Sequence, residues 1–339
     1  MTVAVAYDDR FLEHDIPTHP ENAGRLRAII ERLTATGQLD SLPRLAERRV
    51  TSEEILLVHE AALPAEIERI ASGGGGWADS DTYVVPRSWD VALLAAGASV
   101  EAAERVHDGT YSSAFVLSRP PGHHATMRRA MGFCLLNNVA IAARVLMENH
   151  GIERIAVVDF DVHHGNGTQD IFWTDARLLY FSTHQYPYYP GSGHWSEVGS
   201  GAGEGTSVNV PLPPGCGDDQ YAAAFDRLFQ PMVERYRPQL IMVSAGFDAH
   251  VDDPLAMEAL TSGGYAALAL RVKEWADELC GGRCVFVLEG GYDYDALSEC
   301  VPEVLRCLAG EAPTLSADPT EDGPDIVPLL DRLRSLHSV

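Results

Sequence analysis

The chain has 339 residues, 46% of them hydrophobic and 22% charged, a balance that supports a large buried core and excludes a disordered or fibrous protein. The start, MTVAVAYDDRF, has no basic stretch ahead of an apolar run, and no later segment approaches 18 uninterrupted apolar residues, so no membrane segment is expected and a cytoplasmic location is the default. The formal net charge is −24, and Lys273 is the only lysine among 25 basic residues, which disfavours nucleic acid as a direct partner because phosphate neutralisation needs clustered Lys and Arg.

That acidity suits a cationic substrate, and solubility alone explains it equally well. The six cysteines (Cys134, Cys216, Cys280, Cys284, Cys300 and Cys307) are too sparse for a disulfide scaffold and fit reduced thiols. Cys280 and Cys284 lie close enough to share a metal, but no second close pair completes a tetrahedral set, and packing thiols are the better reading.

Taken in chain order, a helix is expected over Asn22–Thr36, a second over Asp90–His107 and a strand over Ala114–Ser118. There follow a helix over Leu135–Asn149, strands over Arg154–Val162 and Leu178–Thr183, a helix over Asp219–Arg235 and a strand over Leu240–Ser244. A helix over Gly264–Leu279, a strand over Cys284–Glu289 and a helix over Tyr294–Leu308 complete the series. Alternation of β-branched apolar runs with segments of helical period indicates an α/β protein with a mostly parallel central sheet flanked by helices. Residues 1–310 read as one domain; Gly310–Asp325, rich in Pro, Asp and Glu, reads as loop, and Ile326–Leu336 as a short amphipathic stretch, so residues 311–339 form a C-terminal extension of that domain. Several strands run straight into polar, Gly-rich segments, and in open α/β sheets such segments converge on a crevice at the carboxyl ends of the strands.

Four of these segments carry chemistry. In VVDFDVHHGNG, Val157 to Gly167, strand alternation places Asp159, Asp161 and His163 on one side and Phe160 and Val162 on the other, and a carboxylate and an imidazole two residues apart make half of a metal site. A catalytic zinc takes three protein ligands and keeps one position open; Asp248 in SAGFDAH is the natural third donor, its alternative being a helix cap or loop carboxylate. In RPPGHHA, Pro120 and Pro121 stiffen the approach to His123 and His124, neighbours that point in different directions and suit proton transfer better than shared metal binding. In LEGGYD, two glycines present Tyr292, whose hydroxyl can donate to a developing oxyanion or simply pack beside a turn.

RPPGHHA, GFCLLNN, VVDFDVHHGNGTQ, the STH and PGSG pieces around Tyr189, SAGFDAH and LEGGYD, in this order, resemble the zinc-dependent histone deacetylases and the acetylpolyamine amidohydrolases. The likeness runs from HPENAGRLRAI to the helix after Tyr294, and Asn166 together with RPPGHH makes it similar to the class II branch, the histone deacetylase-like amidohydrolases.

The resemblance implies the arginase/deacetylase fold and a zinc-dependent hydrolase that removes an acetyl or other acyl group from lysine side chains. It implies Asp161, His163 and Asp248 as metal ligands, His124 as general base and acid, and His123 as a charged partner oriented by Asp159. Asn166 stands beside His124 in place of a second aspartate and should leave it less basic, and Tyr292 completes the oxyanion site. The substrate tunnel would run between Gly132 with Phe133 and Tyr189, with Leu255 at its mouth and Arg25 at its inner end. A potassium ion is implied near Asp159, Asp161, His163, Ser182 and Thr183.

An acidic residue at the place of Leu255 would suit a polyamine, so Leu255 tilts the reading toward acyl-lysine, although Asp252, Asp253 or Glu258 could serve a cationic substrate. The alternatives are an acetylpolyamine amidohydrolase and, in another class, a non-catalytic acyl-lysine binding protein; a homo-oligomer is compatible with either. A nucleotide-binding protein fails because GSGAGEGTS, Gly199 to Ser207, lacks the dinucleotide fingerprint and precedes a strand. A dinuclear manganese ureohydrolase would need further carboxylates around a second metal.

Overall fold

A computed structural model of the chain describes residues 2–319 and 323–339, so residues 320–322 of the expected C-terminal loop lie outside the described residues. The strands are β1 (Val3–Ala6), a short antiparallel pair β2 (Gly76–Trp77) and β3 (Tyr83–Val84), β4 (Ser113–Val116), β5 (Ile155–Asp159), β6 (Leu178–Gln185), β7 (Ser207–Leu212), β8 (Leu240–Ala245) and β9 (Cys284–Leu288). The helices are α1 (Ala23–Ala35), α2 (Gln38–Ser41), α3 (Ser52–Ile55), α4 (Ala62–Ser72), α5 (Ser88–His107), α6 (Asn138–His150), α7 (Asn166–Phe172), α8 (Asp218–Ala224), α9 (Gln230–Tyr236), α10 (Ser262–Cys280), α11 (Tyr294–Ala309) and α12 (Val327–His337).

Seven strands form one wholly parallel sheet in the order β1-β4-β9-β8-β5-β6-β7, as the α/β reading requires. Its central strands, such as IAVVD in β5 and CVFVL in β9, are buried at every position, because helices cover both faces and leave no polar side to alternate with. One face carries α5 and α6; the other carries α10 and α11, with α1 packed on α11. The helices begin and end where local chemistry dictates. The side chain of Asn137 accepts from the N–H of Ala140 at the start of α6, that of Thr261 accepts from the N–H of Gly264 at the start of α10, and Gly281 closes α10 in the left-handed region.

Three expectations change. The helix expected over Asp219–Arg235 is α8, a π-helical turn (Phe225–Phe229) and α9, with Pro231, which has no N–H to donate, in the first turn of α9. The strand expected over Arg154–Val162 stops at Asp159, so simple alternation does not carry Asp161 and His163. The strand β1, only four residues long, lies outside the expected set; it pairs with β4 at the sheet edge. At the other edge α12 lies against β7 and the π-helical turn, with Leu330 and Leu333 fully buried.

The order of the four middle strands decides where chemistry can occur. β4, β9, β8 and β5 are neighbours, all point the same way, and run respectively into RPPGHHA, LEGGYD, SAGFDAH and the DVHHGNG turn.

Candidate active site

The turn after β5 is held by side-chain-to-backbone hydrogen bonds instead of a sheet ladder. The N–H of Asp161 donates to Asp159 Oδ1 (3.2 Å), the N–H of His163 to Asp161 Oδ1 (2.9 Å) and the N–H of Val162 to Asp248 Oδ1 (2.8 Å). Asp159 therefore turns away from Asp161 and His163 and meets His123, whose Nδ1 lies 3.0 Å from Asp159 Oδ2; Tyr180 also donates to that oxygen at 3.0 Å.

Asp161, His163 and Asp248 form one cluster. His163 Nδ1 lies 3.2 Å from Asp161 Oδ1 and 3.1 Å from Asp248 Oδ2. The remaining oxygen of each carboxylate is held by a backbone N–H, that of Gly290 for Asp161 and that of Val162 for Asp248, both at 2.8 Å. Gly290 can approach so closely only because it has no side chain: a Cβ there would stand 2.1 Å from Asp248 Oδ2 and 2.5 Å from Asp161 Oδ2. Burial alone would lower His163, but two carboxylates aimed at one imidazole favour positive charge between them, and they hold it at about 10. The two negative charges and the mixed oxygen and nitrogen donors fit a divalent cation such as zinc.

The adjacent histidines are driven apart electrostatically. Burial would lower His123, but the carboxylates of Asp161, Asp159 and Glu289 outweigh it and hold the ring well above its ordinary value. Burial, together with charge on His123 and His163, pushes His124 well below its ordinary value. His124 Nδ1 meets Asn166 Oδ1 at 2.8 Å, and since that oxygen only accepts, Nδ1 carries the proton and Nε2 is left as the base. The His123 and His124 backbone is anchored by Glu289, whose Oε2 accepts the N–H groups of Gly122 (2.6 Å) and His123 (3.1 Å). Tyr292 is raised well above its ordinary value by burial, which keeps the phenol protonated as a donor.

A narrow cavity of about 80 Å³ joins these groups. His123, His124, His163, Tyr292, Gly132, Phe133, Tyr189 and Leu255 line it, together with Asp81, Pro121 and Gly290. Gly132 has φ +55°, and a Cβ there would stand 2.3 Å from the His124 ring. The Tyr189 ring stands nearly perpendicular to His124 at 5.2 Å, and Phe133 meets the edge of Tyr292 at 5.9 Å.

Other expected residues fall behind the walls. Arg25 is fully buried, lies over the Tyr292 ring at 4.9 Å and donates to the carbonyls of Gly291 and Glu289, so it braces the Tyr292 turn from outside the cavity. Asn166 stands behind His124. Ser182 Oγ meets His184 Nδ1 at 2.8 Å, and the buried Thr183 Oγ1 has no hydrogen-bond partner.

Asp253 and Glu258 are buried and accept backbone N–H groups, which removes them as exposed contacts for a cationic substrate; Asp252 remains exposed. Cys280 and Cys284 are buried thiols and belong to no metal-type cluster among the described residues. A second cluster of His123, Cys134 and Glu289 is already committed, Glu289 to the two N–H groups and the Cys134 thiol to the carbonyl of Gly132.

Sequence reasoning missed Asp81 at the cavity and Tyr188, which stacks on His163 at 5.7 Å and donates to the carbonyl of Leu255 at 2.7 Å. It also missed the anchoring by Glu289 and Tyr180. A carboxylate closing the buried strand β9 was the one available signal for Glu289.

Residues 19–308 match the histone deacetylase domain family. The chain is 42% identical to a probable deacetylase of Archaeoglobus fulgidus over 91% of this chain and 87% of that one. It is 40% identical to a histone deacetylase-like amidohydrolase of Pseudomonas aeruginosa over 86% and 76%, respectively. The crystal structure of the HDA15 HD domain superposes with a TM-score of 0.91 at 35% identity, covering 99% of this chain and 94% of that one.

Proposed function

The chain belongs to the histone deacetylase family and is a hydrolase of amide bonds, and from that premise we propose that it is a zinc-dependent deacylase acting on acyl-lysine side chains. The observation that carries this reading is that the Asp161, His163 and Asp248 cluster reaches, through His163, the cavity that a pair of histidines of opposed basicity also lines.

Zinc bound by that cluster would supply a Lewis acid for the amide carbonyl and lower the pKa of water from 15.7 to about 7. His124 Nε2 takes the proton of the attacking water and returns it to the leaving amine nitrogen, while Asn166 fixes the ring and its tautomer. His123, kept charged by Asp161, Asp159 and Glu289 and oriented by Asp159, and the Tyr292 hydroxyl stabilise negative charge as it develops on the carbonyl oxygen. Phe133 and Tyr189 offer flat apolar walls to the methylene chain, with Leu255 at the mouth. We assign a potassium site to Asp159, Asp161, His163, Ser182 and Thr183; the unpartnered Thr183 Oγ1 supports it. A cytoplasmic location is supported by six free cysteines.

One observation favours an acylpolyamine as a second reading: Asp81 brings a carboxylate to the cavity of a chain already at −24. Initial rates on an acetyl-lysine peptide and on acetylspermidine separate the two, the peptide being expected to react faster. Tyr292→Phe should lower kcat on the preferred substrate by about 10² to 10³, the scale of losing one oxyanion donor. Full activity in that variant would remove Tyr292 from the chemistry.

A further inference from the structure

Asp253 lies behind the cavity and bonds the backbone of two residues that line it, Leu255 and Tyr292. It is 6% exposed and its carboxylate serves backbone alone: Oδ2 accepts the N–H of Tyr292 at 2.6 Å and that of Asp293 at 3.3 Å, and Oδ1 accepts the N–H of Leu255 at 2.9 Å. The first of these bonds falls on the peptide joining Gly291 to Tyr292. The carbonyl of the same peptide, on Gly291, accepts from Arg25 Nε.

One peptide plane is thus held at both ends, its oxygen by a guanidinium and its N–H by a carboxylate. Its orientation fixes the direction in which the Tyr292 side chain leaves the backbone. The glycines before it give no such control: Gly290 and Gly291 have no Cβ, and Gly291 adopts φ +111°. Leu255, bound to the other oxygen of Asp253, accepts the Tyr188 hydroxyl on its carbonyl, and Tyr188 stacks on His163. The mouth of the cavity and the Tyr292 turn are therefore one connected unit with Asp253 at its centre.

We propose that Asp253 is a positioning residue for the Tyr292 hydroxyl, tying the rim at Leu255 to the group that stabilises the reaction's developing charge. The proposal rests on the reading of Tyr292 as that donor. An asparagine at 253 keeps the shape but presents one oxygen and one NH2, so one side of the carboxylate's bonding becomes donor against donor, and the Tyr292 peptide or the Leu255 loop must shift.

The test compares Asp253→Asn, Tyr292→Phe, their combination and Asp331→Asn, whose side chain, on α12, is 61% exposed in the parent, with zinc content measured on each. Asp253→Asn is expected to lower kcat about 10- to 100-fold with KM within about threefold and zinc content unchanged, the pattern of a lost transition-state interaction. In the Tyr292→Phe background the same change should cost less than about threefold, because what Asp253 positions is already gone. Asp331→Asn should keep the parental kcat.

A parental kcat in Asp253→Asn, a loss that multiplies fully with that of Tyr292→Phe, or a parallel fall in zinc content would each overturn the proposal. If Tyr292→Phe itself keeps the parental rate, the reading of Tyr292 fails first, and the two failures are distinguishable. Should Asp253→Asn not fold, Asp253→Glu, which keeps the charge and moves it by one methylene, is read by the same criteria.

Discussion

At the scale of single residues, environment does more than identity. His123 and His124 are chemically the same and adjacent in sequence, yet three carboxylates raise one while burial and neighbouring charge lower the other. Glu258 shows the same principle away from the chemistry. It is buried, its Oε2 accepts the N–H of Cys216 at 2.7 Å, its Oε1 has no partner, and burial raises it to about 8. The folded protein therefore keeps a proton on Glu258 from about pH 4.5 to 8 that the unfolded chain gives up, so this group's contribution to stability falls as pH rises through that window. Glu258→Gln removes the dependence, and its Tm relative to the parent should rise between pH 5 and pH 8.5 in thermal melts. A difference in Tm that stays constant with pH would show that Glu258 is ionised in the folded state. Asp161, His163, Asp248 and Tyr292 were legible as candidates in the polar segments that follow buried strands, and their roles came from the resemblance of those segments to the deacetylase motifs. Asp81, Tyr188 and Asp253 were not, because their roles depend on neighbours distant in the chain: Asp253 meets Tyr292 only after β8 and β9 are paired.

At the scale of elements, β4, β5, β6, β8 and β9 were legible in their apolar runs and α1, α5, α6, α10 and α11 in their period, whereas β1, the β2–β3 pair and α4 were not, and the misreadings have local causes. β5 ends early because backbone N–H groups of the next turn find carboxylates instead of a neighbouring strand. The helix after Gly217 widens into a π-helical turn just ahead of Pro231, a change of register that a count of apolar positions does not show. We propose that residues 311–339 belong to the same folding unit as the catalytic domain. α12 buries Leu330 and Leu333 beside β7, Arg235 donates to the carbonyls of His337 and Ser338, and Arg332 lies 4.8 Å from the centre of the Trp195 ring. Burial of a leucine side chain contributes about 1.5 to 3 kcal/mol, so a chain ending at residue 325 should lose roughly 5 to 10 °C of Tm while retaining its metal. An unchanged Tm would make α12 an appendage.

At the scale of the whole molecule, the parallel sheet brings together what the sequence scatters. Residues from position 123 to position 292 meet because β4, β9, β8 and β5 lie side by side and end on the same edge. The proposed mechanism uses one metal position at the Asp161, His163 and Asp248 cluster and assigns proton transfer and charge stabilisation to His124, His123 and Tyr292. The decisive measurement is a zinc titration of chelator-stripped protein, following hydrolysis of an acetyl-lysine peptide and bound metal together. Turnover should be absent at the start, rise with zinc and saturate at one equivalent per chain. Undiminished turnover in the stripped protein, or activity that requires a second equivalent, would contradict a single-metal deacylase.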